Sequence, residues 1–221
     1  NPESMQLAKS LIDEFMPLFT SKYFNICADE TFDLGKGKSA GLAETKGTQR
    51  MYLDFVKELC GYVVSKGKIP MFWGDIICAF PEAVQELPKE TICLNWGYDA
   101  DWPEDSTRKL SGAGARLYNC PGVSGWDQLV NQIRVSYENI SRMCHYAVDY
   151  HADGVLNTDW GDCGHINHPD FSQHFPGIRR FRPLTKSTDR YPGLLMEMSQ
   201  KHLCLCWQKS LSAGSLPGAM R

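Results

Sequence analysis

Short, almost wholly apolar runs recur down the first 160 positions, and stretches whose apolar residues return every three or four positions separate them. The runs lack a period of two, which predicts strands buried on both faces; the intervening period predicts the helices that cover them. Strict alternation of this kind restricts the chain to a parallel α/β sheet, either open and doubly wound or part of an eight-stranded barrel. Strands are expected at 23–28 and within "KIPMFWGDI", "TICLNWGYD", "ARLYNCPG" and "DGVLNTDWGDCGH".

The first helix is expected over 4–18, with Leu7, Leu11, Ile12, Phe15 and Leu18 at helical spacing. A second places Tyr52, Phe55, Val56, Leu59 and Val63 on one face and stops at Gly67. Short helices follow at 81–87 and 103–110. A long one runs from about 127 to 150, its buried stripe being Leu129, Ile133, Tyr137, Ile140, Cys144 and Val148. Residues 33–47 read as a polar, glycine-rich loop.

Several function classes fall away. No G-x-G-x-x-G or Walker A pattern follows any strand, and Gly35-Lys36-Gly37-Lys38 has neither spacing, so a nucleotide-binding sheet is disfavoured. A formal net charge of −3 offers no general basic face to nucleic acid. No apolar run approaches the roughly 20 residues a membrane helix needs. The 43% hydrophobic content supports a sizeable core. Nine cysteines, mostly set singly inside apolar runs (Cys27, Cys78, Cys93, Cys120), read as small hydrophobes in a reducing setting. With no leader pattern at Asn-Pro-Glu-Ser, the expectation is cytoplasmic.

Beyond residue 172 the alternation stops. Residues 1–172 hold 15 basic and 24 acidic side chains, whereas 173–221 hold 8 and 2. The chain is expected to divide into a domain over 1–172 and an atypical basic tail over 173–221, poorly ordered and of the kind a shifted reading frame would give.

The strand ends carry the chemistry. The first apolar run closes as "FNICADET", with Asp29 and Glu30 adjacent where the chain leaves the strand. Later strand ends bring Trp73 and Asp75, Trp96, Tyr118 with Trp126 beyond, and Trp160 with Asp162. In a parallel barrel all these ends face one mouth. Aromatic planes among carboxylates suit a sugar, since rings stack on its apolar face while acids bind hydroxyls and move protons. Glycosidase carboxylates that flank the scissile bond are about 5–9 Å apart and usually come from different strands. Adjacent acids fit another division of labour, in which one protonates the leaving oxygen and the other orients a nucleophile within the substrate.

With these motifs in view, residues 1–172 resemble the catalytic domain of glycoside hydrolase family 20, the β-N-acetylhexosaminidases. The resemblance implies a (β/α)8 barrel truncated to about strands 4–8, opening at the helix before strand four. It implies a retaining, substrate-assisted glycosidase that removes terminal N-acetyl-β-D-hexosamine residues from glycans and uses no metal or cofactor. Asp29 would orient the acetamido group. Glu30 would be general acid and base, a role that asks for a desolvated carboxyl. Trp73, Trp96 and Trp160 would wall the acetamido pocket; Tyr118 would donate to the acetamido oxygen; Asp162, Asp75 and Trp126 would contact the sugar. Two departures stand out. The family usually has two glycines before its Asp-Glu pair, where this chain has Cys27-Ala28, and usually a final Glu where this chain has Asp162.

Other readings stay open at this stage. Glu30 with Asp75 or Asp162 as a true nucleophile would make a different barrel glycosidase, and a carbohydrate-binding remnant without catalysis would use the same aromatics. Cys163-Gly164-His165-Ile166-Asn167-His168 holds a thiolate and two imidazoles but no second ligand cluster, and reads as a loop. Asn139-Ile140-Ser141 matches a glycosylation acceptor but falls mid-helix. Oligomeric state is not legible.

Overall fold

The computed structural model of the chain describes residues 2–128 and 130–162. Helix α1 (Pro2–Phe15) begins with a proline in its first turn, where no amide donor is needed. Strand β1 (Tyr23–Asn25) follows. Helix α2 (Ala40–Lys46) and helix α3 (Thr48–Ser65) meet at Gly47, whose φ of 78° makes the corner between them. Gly67, also at φ 78°, stops α3 and turns the chain into β2 (Ile69–Trp73). Two 3₁₀ turns lead to β3 (Ile92–Trp96), then α4 (Asp105–Gly112), β4 (Arg116–Cys120) and β5 (Gly122–Val123). Helix α5 (Ile133–Asp149), β6 (Gly154–Val155) and β7 (Thr158–Asp159) complete the described chain.

The strands form a five-stranded parallel sheet in the order β1-β2-β3-β4-β6, with β5 and β7 pairing beyond it. Sequential neighbours joined by helices are the grammar of a (β/α)8 barrel rather than of a sheet that reverses its order midway. Pro121 separates β4 from β5 because it has no N–H for the ladder. Its carbonyl still accepts the Thr158 amide at 2.8 Å, so the last strand keeps its pairing across the break.

Burial on both faces follows the sequence. Phe72, Cys93 and Leu117 point to the helices, where they pack with Tyr52, Leu53, Val56 and Cys60 of α3 and Leu110 of α4. Their strand neighbours Met71, Trp73, Ile92, Leu94, Tyr118 and Cys120 form a second cluster with Leu156 on the opposite face. Ile12 of α1 and Met16 just after it pack against Leu59 and Val63 of α3. Residues i and i+1 of each strand thus serve different cores, which is why no alternation shows in the sequence.

Four expectations are corrected. Residues 33–47 contain α2, which the sequence hides because none of its seven residues is buried and no apolar stripe marks it. The 81–87 segment is a 3₁₀ turn over Pro81–Glu86, not an α-helix. In α3 the inward residues include Leu53 and Cys60, while Phe55 is exposed.

The largest correction concerns α5. It begins at Ile133, and its buried face is Ser136, Asn139, Ile140, Met143 and Ala147. Ile133 and Tyr137 are 63% and 54% exposed, and Val148 is exposed as well. Polar Ser136 and Asn139 displace them because the helix packs on strand-end loops whose amides and carbonyls need partners. Leu129 lies outside the described residues, as do the Cys163–His168 segment, the 172 boundary and the 173–221 tail.

Candidate active site

Five strand ends converge on one rim. At its β1 end lies the turn that follows that strand, where the backbone leaves ordinary space: Cys27, Ala28 and Glu30 have φ of 63°, 73° and 50°. A non-glycine residue held in this left-handed region costs roughly 1–2 kcal/mol. The surrounding groups explain how the turn persists. Asn25 Oδ1 accepts the Cys27 N–H at 2.9 Å, and the Cys27 carbonyl accepts the Trp73 N–H at 2.9 Å. The Tyr52 hydroxyl donates to the Ala28 carbonyl at 3.0 Å. The Glu30 N–H donates to Asp75 Oδ2 at 3.0 Å. Strain over-determined by its surroundings in this way is a mark of functional turns.

The three acids are not equivalent. Asp29 is half-buried; loss of water pushes its carboxyl above the usual range, opposed by a bond from its own backbone amide and reinforced by the charges of Asp75 and Glu30. Glu30, from which the sequence reading asks desolvation, is exposed among the described residues. The desolvated member of the pair is Asp29. Asp75 Oδ1 is buried and has no hydrogen-bond partner among the described residues.

Beside the acids, the aromatics form one connected wall. Trp73, 2% exposed, meets Trp160 with ring centroids 5.7 Å apart. Trp96 stacks on Tyr98 at 5.4 Å, and Tyr98 meets Trp126 edge-on at 5.2 Å. The Trp160 Nε1–H donates to the Tyr98 hydroxyl at 2.7 Å, closing the chain of contacts. Burial pushes the Tyr98 hydroxyl far above its ordinary value, so it stays protonated.

Tyr98 lies in the strand-end motif Asn95-Trp96-Gly97-Tyr98-Asp99 that the sequence marks, but the sequence assigns it no role. It stands two positions after Trp96 in the same strand-end motif, and that adjacency was the available signal. Cys27, Trp73, Trp96, Tyr118 and Trp160 all belong to the cluster on this face of the sheet. Tyr118 lies below the strand end, in one row with Trp73: both pair in register with Leu94, and Tyr118 with Gly154, while the strand end is Cys120 opposite Trp96. It packs 3.1–3.2 Å from where a Gly154 side chain would begin, and burial raises its hydroxyl to about 12. Asp162 is exposed, and its carbonyl accepts the Asp127 N–H at 3.2 Å, which brings the Trp126 and Trp160 loops together.

The Trp-Gly repeats have a packing origin. A Cβ on Gly74 would lie 2.4 Å from Cys93 Sγ, and one on Gly97 would lie 2.0 Å from the Trp102 ring. No side chain fits at either position, so the glycines serve the sheet rather than a ligand. Among the described residues no group of three or more His, Cys, Asp or Glu is placed to hold a metal. Among the same residues no helix is long and apolar enough to cross a membrane.

Residues 1–148 match the family model described as the catalytic domain of glycosyl hydrolase family 20. The chain belongs to this family. Family 20 membership places the chain among glycoside hydrolases.

Three solved structures are similar to the chain. The β-N-acetylhexosaminidase from Bacteroides fragilis NCTC 9343 shares 18% identity at a TM-score of 0.46, over 55% of this chain and 25% of that one. The Flavobacterium johnsoniae chitobiase shares 22% at 0.47, over 63% and 21%. Dispersin B shares 15% at 0.41, over 80% and 49%. The chain thus spans between a fifth and a half of the length of these relatives. Comparison with curated proteins gives no match.

Proposed function

We propose that this family 20 chain carries the catalytic acids of a retaining glycosidase that removes terminal N-acetyl-β-D-hexosamine from glycans by substrate-assisted catalysis. One observation supports it most: adjacent carboxylates at the end of β1, one desolvated and one open, stand beside a wall of tryptophans. A nucleophile carried by the substrate removes the need for a second carboxylate across the scissile bond.

In this reading the substrate's acetamido oxygen attacks the anomeric carbon while Glu30 gives its proton to the departing glycosidic oxygen. A cyclic oxazolinium forms, and the anionic Asp29 carboxylate accepts the acetamido N–H, orienting the group and offsetting its positive charge. Water then loses a proton to Glu30 and adds to the anomeric carbon, opening the ring with the configuration retained. Substrate closing over the rim would supply the desolvation that Glu30 lacks in the open chain. Trp73, Trp96 and Trp160 enclose the acetamido methyl and exclude water, and Trp126 and Asp162 contact the sugar from the adjoining loops. Tyr118, in the same row as Trp73, would serve the acetamido oxygen. No metal or cofactor enters any step.

Hydrolysis of a chromogenic N-acetyl-β-D-glucosaminide tests the scheme. Glu30→Gln is expected to lower kcat by about 10²-fold or more, in the range of general acid catalysis. Unchanged turnover in that variant would rule out the assignment. Equal activity on the corresponding β-glucoside, which lacks the acetamido group, would favour a carboxylate nucleophile instead.

A further inference from the structure

Asp75 reads in the sequence as a sugar-binding acid, yet neither of its oxygens behaves like one. Oδ2 accepts the Glu30 N–H at 3.0 Å. Oδ1 is buried, without a partner among the described residues. A carboxylate that binds a sugar hydroxyl must present an oxygen to the mouth. This one grips backbone with the first oxygen and hides the second. The amide it grips belongs to a residue at φ 50°, at the end of a turn in which Cys27 and Ala28 are also left-handed. Asn25, Trp73 and Tyr52 hold the earlier part of that turn through Cys27 and Ala28, and all three bonds precede Asp29. Among the described residues, Asp75 is the side chain that holds it after Asp29.

We propose that Asp75 is a positioning residue: through the Glu30 amide it fixes where the exposed acid stands relative to Asp29, and it does not bind the sugar. Asp75 lies two positions after Trp73, so the same β2 end that sets a wall of the pocket sets the register of the acid pair. Its charge is felt by the groups packed around it. Asp29 from the turn, Tyr52 from α3, Cys93 from β3 and Cys78 just beyond are all pushed upward in part by it. The catalytic consequence rests on the family 20 reaction proposed above, whereas the positioning itself does not.

Amide exchange and carboxyl titration of the isotopically labelled 221-residue chain test the positioning without requiring turnover. Asp75→Asn keeps an acceptor for the Glu30 N–H and removes the charge. In it, Glu30 exchange should stay within about threefold of the unsubstituted chain, and Asp29 should titrate at lower pH. Asp75→Ala removes both, and Glu30 exchange should rise at least tenfold while amides of β2 and β3 keep their protection. If that variant fails to fold, Asp75→Ser, too short to reach the amide, gives the same reading.

Unchanged Glu30 exchange in the shortened variant, or unchanged Asp29 titration in Asp75→Asn, would overturn the proposal. With a chromogenic hexosaminide, Asp75→Ala should lower kcat and Asp75→Asn, which keeps the acceptor, should largely retain it, both with KM within twofold; a raised KM with kcat intact would return Asp75 to sugar binding. Absence of turnover in the unsubstituted chain would instead count against the proposed reaction and leave the exchange and titration results standing.

Discussion

Cys27 and Ala28 occupy left-handed conformations that glycine would adopt without a Cβ penalty. The departure noted in the sequence therefore has a measurable cost. Ala28→Gly removes the Cβ from a position at φ 73°. It should stabilise the fold by about 0.5–1 kcal/mol in urea unfolding, the strain relieved exceeding glycine's loss of chain entropy. Asp29 stores a second cost. Its carboxyl is raised above the ordinary value mainly by desolvation, so the native state holds its proton more tightly than the unfolded chain does. Stability from this residue is intact below the unfolded value of about 3.9 and is lost as pH rises through the native one. Asp29→Asn should therefore be the more stable protein at pH 7, with the difference vanishing near pH 3. Partial exposure keeps the gain below about 1 kcal/mol. Thermal unfolding across that pH range reads it out, and turnover should fall in the same variant.

Helix α5 shows how an element can be legible while its contacts are not. Its existence follows from the apolar spacing in the sequence, yet its inward face is set by two polar residues. Asn139, fully buried, accepts the Gly122 N–H at 3.1 Å and donates to the Gly97 and Asp99 carbonyls at 3.0 and 2.8 Å. Ser136 Oγ accepts the Ser124 N–H at 3.0 Å. The helix thereby ties down the loop that carries Trp96 and Tyr98. Asn139→Ala would leave these backbone groups buried and unpaired, at a cost of about 3 kcal/mol. Near-UV circular dichroism should weaken along with urea stability, because the stacked aromatics lose their anchor. The same burial withdraws Asn139 from glycosylation in the folded chain, so the Asn139-Ile140-Ser141 match is a coincidence of packing.

At the scale of the whole molecule, charge contributes little. The ion pairs found, such as Arg50 with Glu86 and Arg116 with Asp153, lie on the surface with side chains about two-fifths exposed. Exposed pairs are worth roughly 0–1 kcal/mol each and are screened by salt. Raising sodium chloride from low to molar concentration should shift the unfolding free energy by less than about 1 kcal/mol in calorimetry. Cohesion comes instead from the two apolar clusters on opposite faces of the sheet.

Local physics made the strands, the parallel α/β class and the acid pair readable from the amino-acid sequence alone. Apolar runs without alternation have few other places to go, and adjacent carboxylates at a strand end are costly anywhere but a site. Tertiary structure decided the rest. Tyr98 became part of the wall because the Trp160 loop, 62 residues later, delivers an N–H to its hydroxyl. Asp75 turned from the mouth toward the Glu30 amide, and the desolvation fell on Asp29 rather than Glu30. These outcomes depend on which segments meet at the rim, and burial and hydrogen bonding between distant segments leave no period in the chain.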